Sequence, residues 1–150
     1  MYRFFYYAIL ICYGGLLLET VLLSRDSYRN LNLIPFDMIQ AQGFGDMNVW
    51  GNVLMFIPLG MYMMIHSKHG AILKIMLCSL VIEVTQYIFA RGATDIDDFI
   101  LNTLGGIIGI TIAWLLSKCF RDVQKAVAML SMIIGLPVIA LAVLLVVYNR

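Results

Sequence analysis

"SLVIEVTQYIFARGATDIDDFILNTLGG" occupies Ser79–Gly106. Two apolar runs meet here through a short polar turn, and both runs carry polar groups of their own. Glu83 and Gln86 interrupt the first run, Arg91, Asp95, Asp97 and Asp98 fill the turn, and Asn102 opens the second. The chain around the stretch has a membrane composition, 62% hydrophobic and 13% charged, with mean hydropathy +0.91. A soluble domain is about a quarter charged. An ionisable group at the bilayer centre costs roughly 2.5–3.5 kcal/mol even on the lenient insertion scale, so such groups mark function by default.

Working outward, five runs are long enough to cross a hydrocarbon core of about 30 Å at about 1.5 Å per residue. They are Phe4–Leu23, Val49–Ile65, Ala71–Ala90, Phe99–Leu116 and Ala126–Tyr148. The expected fold is all-α: a polytopic bundle of five transmembrane helices. The first run lacks an A-x-A type cleavage site and is too long for a signal-peptide core, so it reads as a retained span. Lys and Arg set the orientation. Arg3, Lys68, Lys74, Lys118, Arg121 and Lys125 fall on one side, and Arg25, Arg29, Arg91 and Arg150 on the other. The positive-inside rule places the N-terminus in the cytoplasm and the C-terminus outside. A net charge of +1 gives no basic tail for nucleic acid.

If the spans alternate in direction, the polar groups converge. Glu19 lies near the end of span 1, Asn52 near the start of span 2, Glu83 and Gln86 in the second half of span 3, and Asn102 in the first turn or so of span 4. All five then occupy one half of the bilayer, beside the Asp-bearing loops. Glu83 and Gln86 are i and i+3, Asp95 and Asp98 are i and i+3, and Asp98 and Asn102 are i and i+4, so each pair shares a helix face. The same stripe continues as Gly105, Gly106 and Gly109, a close-packing pattern for membrane helices. "TDID" (Thr94–Asp97) resembles a helix N-cap with a carboxylate at N3. Plain alternatives stand beside these readings: interhelical glue for Asn52 and Asn102, a cap or solvated loop residue for Asp97, an interfacial anchor for Arg91.

The 25-residue loop Ser24–Asn48 contains "NLIPFD" (Asn32–Asp37), which is not disorder-like. It is expected to lie at the membrane surface or dip back over the polar cluster and close it. His66 and His69 sit on the opposite side and read as a solvated turn. Cys12, Cys78 and Cys119 fit no zinc or disulfide framework.

"NLIPFD", "GNVLMFIPLG" (Gly51–Gly60) and "IEVTQYIFARGATDIDDFILNTLGGIIG" (Ile82–Gly109) together resemble the VanZ-like membrane proteins. The shared pattern is N-L-I-P-F, N-x-x-x-F-x-P-x-G, E-x-x-Q, R, D-x-x-D and N-x-x-G-G. It covers about residues 15–116 of one VanZ-like domain spanning 1–150, and the run 126–148 falls outside it. The resemblance implies a link to low-level glycopeptide (teicoplanin) resistance. It also implies kinship with small helical membrane domains predicted to act on phosphate-bearing lipid headgroups.

The expected chemistry rests on carboxylates, with Glu83, Asp98, Asp95 and Glu19 as candidate catalytic groups. Burial disfavours the charged form of a carboxyl, which suits a general base. Glu83 or Asp98 would activate a water or hydroxyl. Arg91 would bind the phosphate, and Gln86, Asn102, Asn52 and Asn32 would orient the headgroup. No organic cofactor is expected, and a divalent metal between Asp95 and Asp98 stays open. The expected partners are membrane lipids or lipid-linked cell-wall precursors at the bacterial plasma membrane. The competing reading is a non-enzymatic binder of a lipid-linked precursor or an antibiotic's acyl chain. A small transporter is disfavoured, because no polar path continues through the other halves of the spans.

Overall fold

Asp95 starts the helix around which the fold is organised. In the computed structural model, which describes residues 2–19, 28–43, 45–67, 69–130 and 133, its side chain accepts the Asp97 backbone N–H at 2.9 Å. The cap satisfies an N–H that no preceding turn can reach, and Asp97 and Asp98 follow where the helix dipole favours anions. The cap therefore lies one residue beyond the Thr94 expected from the capping pattern.

The elements run α1 (Tyr2–Leu18), β1 (Tyr28–Asn32), α2 (Asp37–Gln42), α3 (Met47–His66), α4 (Ala71–Phe89), β2 (Arg91–Asp95) and α5 (Ile96–Cys119). Asn48–His66, Ala71–Phe89 and Ile96–Cys119 are long and apolar enough to cross a membrane. Helix α1 is apolar but shorter, and residues 20–23 of the expected first span lie outside the described residues. Residues 123–130 and 133 are helical, and the rest of the expected last span also lies outside. The chain is a mostly helical membrane protein. Leu77, Val81, Val84 and Ile88 on α4 are exposed, as a lipid-facing surface requires.

Helices α3 and α5 pack backbone to backbone. A Cβ at Gly105 would collide with the Val53 carbonyl, one at Gly109 with the Ile57 carbonyl, and one at Gly60 with the Gly106 carbonyl. The first two contacts advance together along both chains, so α3 and α5 run parallel. Side-chain-free positions are what allow such an approach. Gly106 leaves room for the buried Ile75 of α4. Helix α1 runs antiparallel to α3, with Tyr6 beside His66 (Oη to Nδ1 3.2 Å) and the Tyr13 hydroxyl donating to the Met55 carbonyl at 2.5 Å. Tyr6, Met61, Tyr62, Ala113, Val127 and Ala128 form the core at that end. Val49, Val53 and Leu101 form the core at the other end, with Met38 and Ile39 of α2 packed over them.

The all-α expectation needs one correction. Strands β1 and β2 form a two-stranded parallel ribbon, in register from Tyr28↔Arg91 to Asn32↔Asp95. The long loop thus folds back across the polar end of the helices. Arg29 secures the return: its Nε donates to the Tyr87 carbonyl at 3.1 Å and its Nη2 to the Ile88 carbonyl at 3.2 Å. Those carbonyls end α4, where the last turn leaves acceptor capacity unused even though the Ala90 N–H reaches the Tyr87 carbonyl at 3.3 Å, and a cation there also suits the dipole. The same guanidinium lies 5.2 Å from the centre of the Tyr87 ring.

Candidate functional site

A chain of carboxylates links the start of α5 to α4, and Asp97, Asp95 and Glu83 each receive a backbone N–H. Asp97 is almost fully buried, and it accepts the N–H of Phe36 at 2.5 Å and of Met38 at 2.8 Å. Its own N–H goes to Asp95 Oδ1, and the Asp95 N–H goes to Glu83 Oε2 at 3.2 Å. Thr94 Oγ1 donates to the Glu83 carbonyl at 3.3 Å. Hydrogen bonds to ionised acceptors are roughly twice as strong as neutral ones, so this chain ties NLIPFD, β2, α4 and α5 together. Phe36 takes a left-handed conformation (φ 64°) at the start of α2. That is strained for a bulky residue, and the Asp97 carboxylate holds the backbone on either side of it. Asp97 is therefore neither an N-cap nor a solvated loop residue. It is the anchor of the returning loop.

Asn32 bridges two more carboxylates, with Nδ2 at 3.1 Å from both Asp37 Oδ2 and Asp95 Oδ2. Asn52 Nδ2 donates to Asp98 Oδ1, and both residues are buried. These groups enclose a cavity of about 310 Å³. Asn32, Asp37, Asn48, Asp95 and Asp98 supply its polar wall, and Tyr28, Met38, Ala41 and Ala93 the remainder. Among the described residues no Lys, Arg or His lines it. Arg91 is half-buried at the start of β2, in register with the cavity-lining Tyr28.

The expected site residues separate into layers. Asp95, Asp98 and Asn32 line the cavity, and Asn52 supports Asp98 from behind. Gln86 and Asn102 are buried and lie outside the lining, and Asn102 Nδ2 donates to Ser79 Oγ at 3.1 Å. Glu83 is buried, its carboxylate accepts the Asp95 N–H, and it borders a second cavity with Leu31, Val84 and Phe99. Glu19 is exposed, just beyond α1, and is not part of this cavity's lining. Four residues were missed. Ser79 had a signal, being i−4 from Glu83 on the same face, and so had Asn48, i−4 from Asn52. Asp37 and Asp97 had none, because their roles depend on where the loop returns. Among the described residues no three His, Cys, Asp or Glu side chains are arranged to hold a metal ion.

A VanZ/LLP1 family model matches residues 4–117. Protein VanZ of Enterococcus faecium is 38% identical over 125 residues, which is 81% of this chain and 72% of that protein. No solved structure matches.

Proposed function

The chain belongs to the VanZ/LLP1 family, and from that premise we propose that it acts on phosphate-bearing headgroups of membrane lipids or lipid-linked cell-wall precursors. In this reading it is a five-helix protein of the bacterial plasma membrane, with its N-terminus in the cytoplasm and its polar end outside. The family's link to low-level teicoplanin resistance is carried over as part of the proposal. The supporting observation is the cavity at the membrane-helix ends, walled by Asp95 and Asp98 and roofed by the returning loop.

Asp98 is the general base of this reading, because it lines the cavity and Asn52 fixes its orientation. It takes a proton from a water or acceptor hydroxyl, whose oxygen attacks phosphorus. The bond from phosphorus to the leaving oxygen breaks, and the proton returns to that oxygen. Arg91, at the Tyr28 end of the ribbon, binds the phosphate. Asn32 orients the headgroup. Glu83, Gln86 and Asn102 act from behind the wall, and Glu19 takes no direct part. A divalent ion on Asp95 and Asp98 would assist by polarising the phosphoryl oxygen, and EDTA sensitivity tests for it.

The binder reading keeps one observation in its favour: among the described residues three carboxylates and no cation line the cavity, a poor welcome for an anion. Purified protein in nanodiscs, offered phospholipids and lipid-linked precursor, decides between them by mass spectrometry of released headgroups. Release that vanishes in Asp98→Asn supports the enzyme. Stoichiometric retention without release supports the binder.

A further inference from the structure

The β1–β2 ribbon folds back along α4 instead of leaving it. Strand β2 begins just after α4 ends at Phe89, and at its far end Thr94 Oγ1 and the Asp95 N–H both meet Glu83. From Glu83 to Phe89 the axis rises about 9 Å, at about 1.5 Å per residue. Strand β1 runs beside β2 in the same direction. Its Arg29 meets the last carbonyls of α4, while Leu31 and Leu33 share a cavity wall with Leu80, Glu83 and Val84. Helix α4 has 19 residues, about 28 Å of length against a hydrocarbon thickness of about 30 Å. With α4 across the bilayer, the ribbon turns back into it.

We propose that residues 31–36 form a re-entrant segment whose apolar side chains lie among the acyl chains of the leaflet. Leu33 and Ile34 are 64% and 63% exposed, and Leu31 and Phe36 are also exposed. Lipid is the occupant because this surface continues onto Leu80, Val84 and Ile88, exposed on the lipid-facing side of α4. The backbone gives independent support. Non-helical backbone at membrane depth is tolerated only where its polar groups are satisfied without bulk water. The Leu31 N–H donates to Asn30 Oδ1 at 2.9 Å and the Ile34 N–H to Asn32 Oδ1 at 3.1 Å. Phe36 and Met38 donate to Asp97, and Asp37 donates to the Ile34 carbonyl at 3.4 Å. Pro35 has no N–H to satisfy. Asp37, the first ionisable residue after Arg29, lines the polar chamber and accepts from Asn32 there. The roof of that chamber is thereby in contact with lipid. The inference does not depend on what the chamber does to its ligand.

The test uses the full chain in phosphatidylglycerol nanodiscs. In a Cys12→Ala, Cys78→Ala, Cys119→Ala background, a nitroxide is attached at Leu33→Cys or Ile34→Cys. Val84→Cys is the lipid-facing reference, and His69→Cys, in the exposed turn between α3 and α4, is the aqueous one. Oxygen concentrates in hydrocarbon and a nickel chelate in water, so the ratio of their effects on spin relaxation reads depth. Labels at 33 and 34 are expected to favour oxygen, as at Val84. A preference for the chelate, as at His69, overturns the proposal. Exclusion of both reagents, the mark of a protein partner over the segment, overturns it too. On the unmodified chain, a phospholipid with a diazirine in its acyl chain should label residues 33–36 as it labels the exposed face of α4. Labelling confined to the helices overturns the proposal, whether or not the cysteine variants fold. Neither measurement reads headgroup release, so failure of the proposed activity and failure of this inference are told apart.

Discussion

Asp97→Asn isolates the returning loop from the rest of the fold. The substitution is isosteric and lies at a nearly fully buried position. The wild-type carboxylate accepts from Phe36 N–H with one oxygen and from Met38 N–H with the other. An amide keeps one acceptor and turns an NH₂ toward the second backbone donor. One hydrogen bond to a charged group, worth roughly 1.5–3 kcal/mol, is lost, and one buried N–H is left facing another donor, a further cost of about 1–3 kcal/mol. Part of that is recovered when the loop lifts and its amides reach water, which leaves about 2.5–4 kcal/mol as the expected loss. At about 1.36 kcal/mol per decade this is two to three orders of magnitude in local opening. Hydrogen exchange of the peptide covering residues 32–42, measured in nanodiscs, reads it directly. The α3–α5 peptides around Gly105 should keep their protection, because that interface makes no use of Asp97. Exchange of residues 32–42 within about three-fold of wild type would refute the reasoning, since no loss of that size could then have occurred.

Gly109→Ala places a methyl group against the Ile57 carbonyl and should destabilise the α3–α5 pair by about 1–3 kcal/mol; a thermal melt in detergent that does not fall contradicts the packing. Asn52→Leu removes the amide that donates to the buried Asp98 carboxylate and should cost about 1–3 kcal/mol, read in the same melt, while Asn52→Ser, which keeps a donor, should recover part of it. Arg29→Gln removes two hydrogen bonds to the end of α4; being exposed, it should cost less than about 1 kcal/mol and increase exchange at residues 87–89 only, and a global loss of protection would argue against a purely local cap.

Much of the site was legible as spacing. Asp98 and Asn102 at i and i+4, followed by Gly105 and Gly109, placed a polar stripe above a close-packed one, and α5 has that face buried. Helix ends also followed from the apolar runs: the expected Val49–Ile65 and Ala71–Ala90 lie within about two residues of the observed α3 and α4. The ribbon was not legible. "YRNLN" and "RGATD" pair across about 60 residues of chain, and neither has the β-branched density that signals a strand. Its register depends on tertiary contacts, namely Arg29 on the end of α4 and Asp97 under Phe36. Glu83 shows the other limit. Its depth in an apolar run singled it out correctly as a costly buried group, but depth alone does not say whether a carboxylate faces a ligand or a backbone N–H. Here it receives the Asp95 N–H, and the carboxylates lining the polar cavity are Asp37, Asp95 and Asp98.

Asp98 is proposed to act on a lipid or lipid-linked headgroup. The most direct measurement is a mass-spectrometric profile of lipids and cell-wall precursors from cells expressing wild type, Glu83→Gln or Asp98→Asn at matched levels. The expected result is a species that appears or disappears with wild type, changes less with Glu83→Gln, and does not change with Asp98→Asn. A wild-type change reproduced in full by Asp98→Asn would contradict it.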